Sequence, residues 1–170
     1  MRGHQPEDPH ATHRSRAPAR LLHQRVRARA RGHPLPDLDA ADWASLDYLG
    51  WRDRKSPALG FVVVELDGEP VGIALRQADA PTRTRPQCAW CEDVQLPNDV
   101  VFFSARRAGV AGRKGDTVGT LVCSAFECSV NVRRRPTLAY VGFDLEAERQ
   151  RRIGVLGENA RGFARKVLEG

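Results

Sequence analysis

Four cysteines are the residues of this chain whose types and spacing could do chemistry. They form two close pairs, Cys88 with Cys91 and Cys123 with Cys128, and the sequence contains no other cysteine. Two thiols two residues apart, a spacer and a second close pair form the ligand pattern of a tetrahedral four-cysteine zinc site. Four thiolates leave no open coordination position, so we expect a structural zinc ion and not a catalytic one.

Three other interpretations of the cysteines remain open at this point. A redox Cys-x-x-Cys pair would follow a strand and open a helix, whereas Cys88 follows a segment rich in proline and arginine. An iron–sulfur cluster uses the same four thiolates, and the spacing alone does not exclude it. Four unliganded core cysteines would reproduce this spacing only by coincidence.

The elements around the cysteines favour a particular zinc-finger geometry. The spacing predicts strands over residues 60–66 and 71–75, joined by the turn dipeptide Asp67-Gly68, and two more over 100–104 and 117–122. The latter two flank an exposed loop at residues 105–116, and a short helix at 129–133 follows Cys128. A knuckle, a hairpin and a helix that carries the last ligand form the treble-clef arrangement.

Helices are predicted at both ends of the folded region. Residues 39–50 fit a short helix that ends at Gly50. From Leu145 onward, one apolar stripe recurs at helical spacing and predicts a C-terminal helix packed on the sheet. The stripe consists of Ile153, Leu156, Ala160, Phe163 and Val167.

The net positive charge and the histidines are confined to the N-terminal part of the chain. The net charge of +6 comes entirely from residues 1–33, which hold eight arginines, Glu7, Asp8 and all five histidines. Residues 34–170 are neutral overall and contain no imidazole for acid–base chemistry, so we expect no enzyme and no small-molecule substrate. No apolar run is long enough to span a membrane, and we expect a cytoplasmic protein.

One long stretch makes the sequence recognisable. The run at residues 49–53, the Cys88–Cys91 knuckle and above all residues 105–129 resemble the FBP family. These are bacterial elongation-factor-G-binding proteins with a C-terminal treble-clef zinc finger, and they are related to the fusidic-acid-resistance proteins. The resemblance covers roughly residue 36 to the C-terminus.

The resemblance implies a partner as well as a metal. It implies zinc at Cys88, Cys91, Cys123 and Cys128, and binding of elongation factor G on the ribosome, which would modulate release of the factor and sensitivity to fusidic acid. It also suggests that the face beside the metal contacts the partner. The candidate contacts are Trp90, Arg113, Lys114 and Thr117. Alternatively, Trp90 caps the core and the charges of the loop are merely solvated.

The predicted organisation is therefore a basic arm followed by one domain. Residues 1–36 fit a disordered arm, and residues 37–170 fit an α+β domain with a mostly antiparallel sheet, a four-cysteine treble-clef finger and a C-terminal helix. Where compact relatives carry a Ser-Phe-(Ile/Val)-Asn-like stretch, this chain has residues 21–26, whose codons read out of register can give it. We therefore expect the arm to be a frameshifted or mispredicted start, which an intact-mass measurement tests.

A second function from another class fits part of the sequence. Basic residues in the loop and after Cys128 would suit a zinc-dependent module that binds RNA or the ribosome. They are Arg106, Arg107, Arg113, Lys114 and residues 133–135. Binding through phosphate contacts weakens steeply with salt, whereas an aromatic-anchored protein interface does so less.

Overall fold

The fold is known from a computed structural model, which describes residue 42 and residues 45–79, 84–137 and 140–169. The basic arm predicted at residues 1–36, with its expected frameshift, lies outside the described residues. Within the described ranges, no helix is both long and apolar enough to cross a membrane.

In the part of the chain that the structure describes, five strands form one antiparallel sheet whose spatial order follows the chain. They are β1 (Leu49–Arg52), β2 (Leu59–Leu66), β3 (Glu69–Gln77), β4 (Val100–Arg106) and β5 (Thr117–Cys123). The helices within the described ranges are α1 (Gly109–Arg113), α2 (Cys128–Arg133) and α3 (Leu145–Leu168). The predicted α+β class, with an antiparallel sheet and a C-terminal helix, is confirmed.

The hairpin between β2 and β3 turns where the sequence predicted. Asp67 and Gly68 have φ angles of 52° and 83°, and Leu66 pairs with Glu69 on either side of them. Positive φ at both central residues defines the tight turn that matches the twist of the flanking strands. Glycine and aspartate tolerate this backbone region, so the dipeptide fixes the register of the hairpin.

The prediction of a short helix at residues 39–50 is wrong for those of these residues that the structure describes. Leu49 and Gly50 lie in β1, and residues 45–48 form a turn and bends. The remaining positions lie mostly outside the described residues. Leu49 pairs with Val63, and Trp51 packs beside them on one face of the sheet. This cross-strand contact outweighs the weak local helical pattern.

The segment at residues 105–116 is also more ordered than predicted. Its first two residues continue β4, and α1 occupies its middle. The amide of Asp116 donates to the carbonyl of Ala111 at 3.1 Å, which closes the turn before β5 begins. The amide of Ala108 donates to the carbonyl of Val167 at 2.7 Å and so joins this segment to the end of α3.

Helix α3 covers one face of the sheet with the predicted stripe. Leu156, Ala160, Phe163 and Val167 are buried in the main core, and Ile153 is partly buried against it. The carboxylate of Asp144 caps the helix by accepting from the amides of Glu146 and Ala147. The stripe prediction is therefore confirmed.

Two glycines on the sheet leave room for the ring of Phe126, which precedes α2. A Cβ atom built on Gly50 would lie 2.5 Å from the Cβ of Phe126, and one on Gly60 would lie 2.7 Å from its Cζ. Phe126 itself has a φ of 60°, unusual for a large side chain, so its position is fixed by the surrounding packing. The segment between the last two cysteines thereby rests directly on β1 and β2.

We expect Gly50→Ala to destabilise the domain by about 1–3 kcal/mol, because the added methyl group would displace a buried ring. Chemical unfolding monitored by circular dichroism measures the loss. Gly72→Ala is the matched control, since it lies in the adjacent part of the sheet and its Cβ would meet nothing within 4 Å. Equal effects of the two substitutions would show that Phe126 is not packed against β1.

Candidate metal centre

The first cysteine pair lies in a tight turn before β4. The amide of Cys91 points at the Sγ of Cys88 at 3.5 Å, and the amide of Glu92 donates to the carbonyl of Cys88 at 2.9 Å. Glu92 has a φ of 57°, the left-handed conformation in which a chain turns sharply away. The predicted knuckle is present, and one backbone amide is directed at a thiol.

The second pair links the end of β5 to the start of α2. Cys123 is the last residue of the strand, and Cys128 is the first residue of the helix. Between them, the amide of Phe126 donates to the carbonyl of Cys123 at 2.9 Å and folds the connection back. Strand, turn and helix therefore bring the two thiols back to the knuckle, as a treble clef requires.

The four thiols converge on one buried point. The Sγ atoms of Cys88 and Cys128 are 3.7 Å apart, as are those of Cys91 and Cys123. All four Sγ atoms lie within 4.8 Å of one another, and all four residues are buried. A tetrahedron of sulfurs about 2.3 Å from zinc has edges of about 3.8 Å. The cluster therefore fits a four-coordinate zinc ion.

The thiols perturb one another strongly because they are close and buried. Hydrogen bonds from neighbouring thiols, that of Cys123 foremost, lower the pKa of Cys88 and of Cys91. The bond to Cys123 raises the pKa of Cys128; for Cys123, the bond to Cys128 lowers the pKa, but those to Cys88 and Cys91 outweigh it. Four thiolates at these distances would repel one another, and a divalent metal would supply the compensating charge.

One polar residue next to the cluster escaped the sequence analysis. Asn131 in α2 is 1% exposed, and its Nδ2 lies 3.5 Å from the Sγ of Cys123. The backbone carbonyl of Asn131 accepts a hydrogen bond from the guanidinium of Arg152 in α3 at 3.2 Å. In the sequence, Asn131 is visible only as one side-chain amide about a helical turn after Cys128. The fold is what directs this amide at a sulfur. Such outer hydrogen bonds orient ligands and tune metal affinity.

Replacing Asn131 with leucine is expected to weaken zinc binding by about 10–100-fold, because the donor to the Cys123 sulfur is lost at similar volume. Competition with a chromophoric chelator measures the affinity. Asn159→Leu is the control, since Asn159 donates to the carbonyl of Trp90 at 3.1 Å and not to a thiol. If both variants hold zinc as tightly as the parent chain, Asn131 has no role at the metal.

An arginine from β1 fastens the second pair to the sheet. The Nε of Arg52 donates to the carbonyl of Ser124 at 2.6 Å, and one Nη donates to the side chain of Gln77 at 2.7 Å. The guanidinium also lies 5.1 Å from the centre of the Phe103 ring. Burial lowers the pKa of Arg52, although guanidinium remains charged at any ordinary pH. Arg52 therefore anchors the metal-binding connection.

Trp90, a candidate partner contact in the sequence analysis, lies in the core instead. Its side chain is 1% exposed and packs between the rings of Tyr48 and Phe163, at centroid distances of 4.8 and 5.6 Å. Its Nε1 donates to the hydroxyl of Thr120 at 3.0 Å. The knuckle turns its indole inward because only the core offers both apolar area and an acceptor. Trp90 joins the metal site to α3 and offers no surface to a partner.

The other candidate contacts lie away from the metal. Arg113, Lys114 and Thr117 are exposed and cluster around the start of β5. Cys123 ends the same strand, so six residues of extended chain, about 20 Å, separate Thr117 from the metal ligand. The face beside the zinc was the expected place for these residues. The antiparallel register instead puts Thr117 opposite Arg106, at the far end of the hairpin from Cys123, and Arg113 and Lys114 precede Thr117 there. We call residues 107–117 the hairpin tip.

A cleft of about 500 Å³ lies beside the metal site. Cys91 of the knuckle and Asn131 of α2 form part of its wall, and apolar side chains such as Val94 and Phe143 form another part. Its cationic lining consists of Arg134, Arg135, Arg151 and Arg152. Three carboxylates, those of Glu92, Asp93 and Glu148, share the lining and offset most of this charge.

Comparisons with known proteins agree with this geometry. The family model described as "FBP C-terminal treble-clef zinc-finger" matches residues 22–167 and so includes all four cysteines. A solved structure described as "Structure of the fusidic acid resistance protein FusC" has a similar fold, with a TM-score of 0.50 and 18% sequence identity. The alignment covers 89% of this chain but only 58% of that chain. No curated protein sequence matches significantly.

Proposed function

Because this chain belongs to the FBP C-terminal treble-clef zinc-finger family, we propose that it is a zinc-containing adaptor that binds elongation factor G. On this proposal it works in the cytoplasm, where the factor acts, and it is not an enzyme. It would act by binding one conformational or ribosome-bound state of the factor more tightly than another, which needs no chemistry. Such binding would modulate the release of the factor from the ribosome and the sensitivity to fusidic acid.

The arrangement of the four thiols is the observation that carries the proposal. All four lie in the core, and together they supply every ligand of a tetrahedral ion. Such a site keeps no position for a substrate or an activated water molecule, so its role is to hold the knuckle, β5 and α2 together. The residues after Pro34 also contain no histidine. Both facts favour a binding protein over a catalyst.

The hairpin tip is the favoured contact surface. Arg113 and Lys114 are exposed at the end of α1, and Thr117 is exposed at the start of β5. Three hydrogen bonds join the tip to the C-terminal end of α3. The amide of Ala108 donates to the carbonyl of Val167, and a guanidinium Nη of Arg107 donates to the carbonyls of Lys166 and Glu169. A fixed, cationic surface loses little conformational entropy on binding. Solvated charges alone would not need this support.

A calorimetric titration of the zinc-loaded chain with purified elongation factor G tests the proposal. We expect saturable 1:1 binding, and we expect Lys114→Ala to weaken it by about tenfold, the effect of one charge-assisted contact. Lys55→Ala is the matched control, because Lys55 is also exposed but belongs to the turn between β1 and β2. Absence of binding at low salt would refute the proposal.

A zinc-dependent module that binds RNA or the ribosome is the second candidate. The four arginines of the cleft beside the metal favour it, because guanidinium groups pair well with phosphate. Binding to ribosomal RNA would weaken steeply between low and physiological salt, whereas the protein interface proposed above would weaken less. The three carboxylates in the same cleft reduce its potential, so elongation factor G remains the first candidate.

A further inference from the structure

Strand β5 forms one edge of the sheet, because among the strands that the structure describes it pairs with β4 alone. Hydrogen bonds at both ends of the pair fix which groups face β4. The amide of Arg107 donates to the carbonyl of Asp116 at 3.0 Å, and the amide of Ser124 donates to the carbonyl of Asp99 at 2.8 Å. Backbone groups alternate in direction along a strand. The amides and carbonyls of Thr117, Gly119 and Leu121 therefore point outward, away from β4.

The knuckle already uses the end of this edge that is nearest the metal. The amide of Ala89 donates to the carbonyl of Leu121 at 2.8 Å, as a neighbouring strand would. Among the residues that the structure describes, none bonds to the outward amide or carbonyl of Thr117 or Gly119, and both residues are exposed. The outward backbone groups of β5 between the knuckle and the hairpin tip therefore have no hydrogen-bond partner among the described residues. Unpaired rungs of this kind are templates for another strand.

An aromatic ring lies beside the open rungs. A Cβ atom on Gly119 would be 2.1 Å from the Cζ of Phe102, so this ring of β4 reaches across β5 in the space that glycine leaves. The ring stays 43% exposed. A strand added to the edge would find apolar surface there for one side chain of its own.

Charge at the hairpin tip favours an acidic occupant. Arg106 pairs with Thr117 across the hairpin, Arg113 ends α1, and Lys114 follows the helix; the three cationic residues are all exposed. Asp116 is the single carboxylate of the tip, residues 107–117. An incoming segment with carboxylates at the end beside Thr117 would meet this excess of positive charge.

We propose that the outer edge of β5 binds an extended, acidic segment of the partner protein by strand addition. This inference rests on the proposed function and specifies how elongation factor G would be held. Backbone hydrogen bonds to Thr117 and Gly119 supply binding, and Phe102 and Lys114 select an apolar and an acidic side chain. A second copy of this chain fits less well. A two-fold pair of β5 strands centred on Val118 would push each knuckle against the other copy's hairpin tip.

Amide hydrogen exchange of the zinc-loaded chain, with and without purified elongation factor G, tests the inference. We expect the amides of Thr117 and Gly119 to exchange about tenfold or more slowly in the complex, because a bonded amide must open before it exchanges. Amides of β1, on the opposite edge, are the internal control and keep their rates. Sedimentation of the chain alone checks for a dimer.

A pair of substitutions at one position separates backbone from side chain. Thr117→Pro removes the outward amide, and proline is tolerated at the first residue of an edge strand. We expect it to weaken binding by about tenfold or more, whereas Thr117→Val keeps the amide and weakens binding several-fold less than the proline variant does. Zinc content verifies that each variant is folded. If the Thr117→Pro variant does not fold, the hydrogen-exchange experiment on the parent chain alone tests strand addition.

Each outcome has a distinct meaning. Binding of the factor without protection at Thr117 and Gly119 overturns strand addition and leaves the proposed function standing. Equal weakening by proline and valine also overturns it, since the side chain would then be the contact. Dimerisation that protects the same amides assigns the edge to a second copy. Absence of any binding to the factor removes both proposals.

Discussion

Cys128→Ser is expected to abolish zinc retention and to unfold most of the chain. Structural zinc contributes on the order of 10 kcal/mol to folding in zinc-finger peptides. This is comparable with the whole stability of an ordinary domain, about 5–15 kcal/mol. Cys128 is also completely buried, and the remaining three thiols would surround an alcohol that zinc does not hold firmly. Metal analysis after dialysis and circular dichroism measure the two losses.

The neighbouring serine supplies the control for this substitution. Ser129 is buried, and its hydroxyl accepts from the amide of Asp47 at 3.0 Å without touching the cluster. Ser129→Ala is expected to cost about 1 kcal/mol and to keep a full complement of zinc. A Cys128→Ser chain that retains stoichiometric zinc and a cooperative unfolding transition would contradict the clamp role of the metal.

Trp90→Ala is expected to be the most damaging change outside the four ligands. It removes a completely buried indole from between Tyr48 and Phe163 and leaves the Thr120 hydroxyl without its donor. Large-to-small substitutions of this kind cost about 3–5 kcal/mol. Urea unfolding of the zinc-loaded protein measures the cost.

Val94→Ala is the comparison for Trp90→Ala, because Val94 lies four residues further along and is 61% exposed. We expect it to change stability by about 0.5 kcal/mol or less. If Trp90 were a partner contact at the surface, Trp90→Ala would cause little loss of stability and a clear loss of partner binding. Measuring both quantities for both variants distinguishes a core residue from a contact residue.

The cysteine cluster and the α3 stripe could be predicted because each depends on the spacing of one residue type along the chain. Close cysteine pairs are rarely explained by packing, and residues such as Leu156 and Phe163 recur with the period of a helix. The Asp67-Gly68 turn likewise needs backbone conformations that few residues adopt. These features depend on spacing along the chain, which the sequence displays directly.

The errors concern direction and distance in three dimensions. Trp90 sits between two ligands, and nothing local shows that its ring turns toward Thr120. The loop residues Arg113 and Lys114 are close to Cys123 along the chain, but the extended β5 carries them to the other end of the hairpin. Asn131 is one amide among many until α2 directs it at a sulfur. Such placements depend on tertiary packing, which overrides local pattern.

X-ray absorption at the zinc edge of the purified chain tests the central claim most directly. The claim is that four protein thiolates close a structural zinc site and thereby hold the fold that presents the hairpin tip. We predict one zinc per chain with four sulfur neighbours at about 2.3 Å and no oxygen or nitrogen ligand. A site with three sulfurs and a water molecule, or iron in place of zinc, would contradict it.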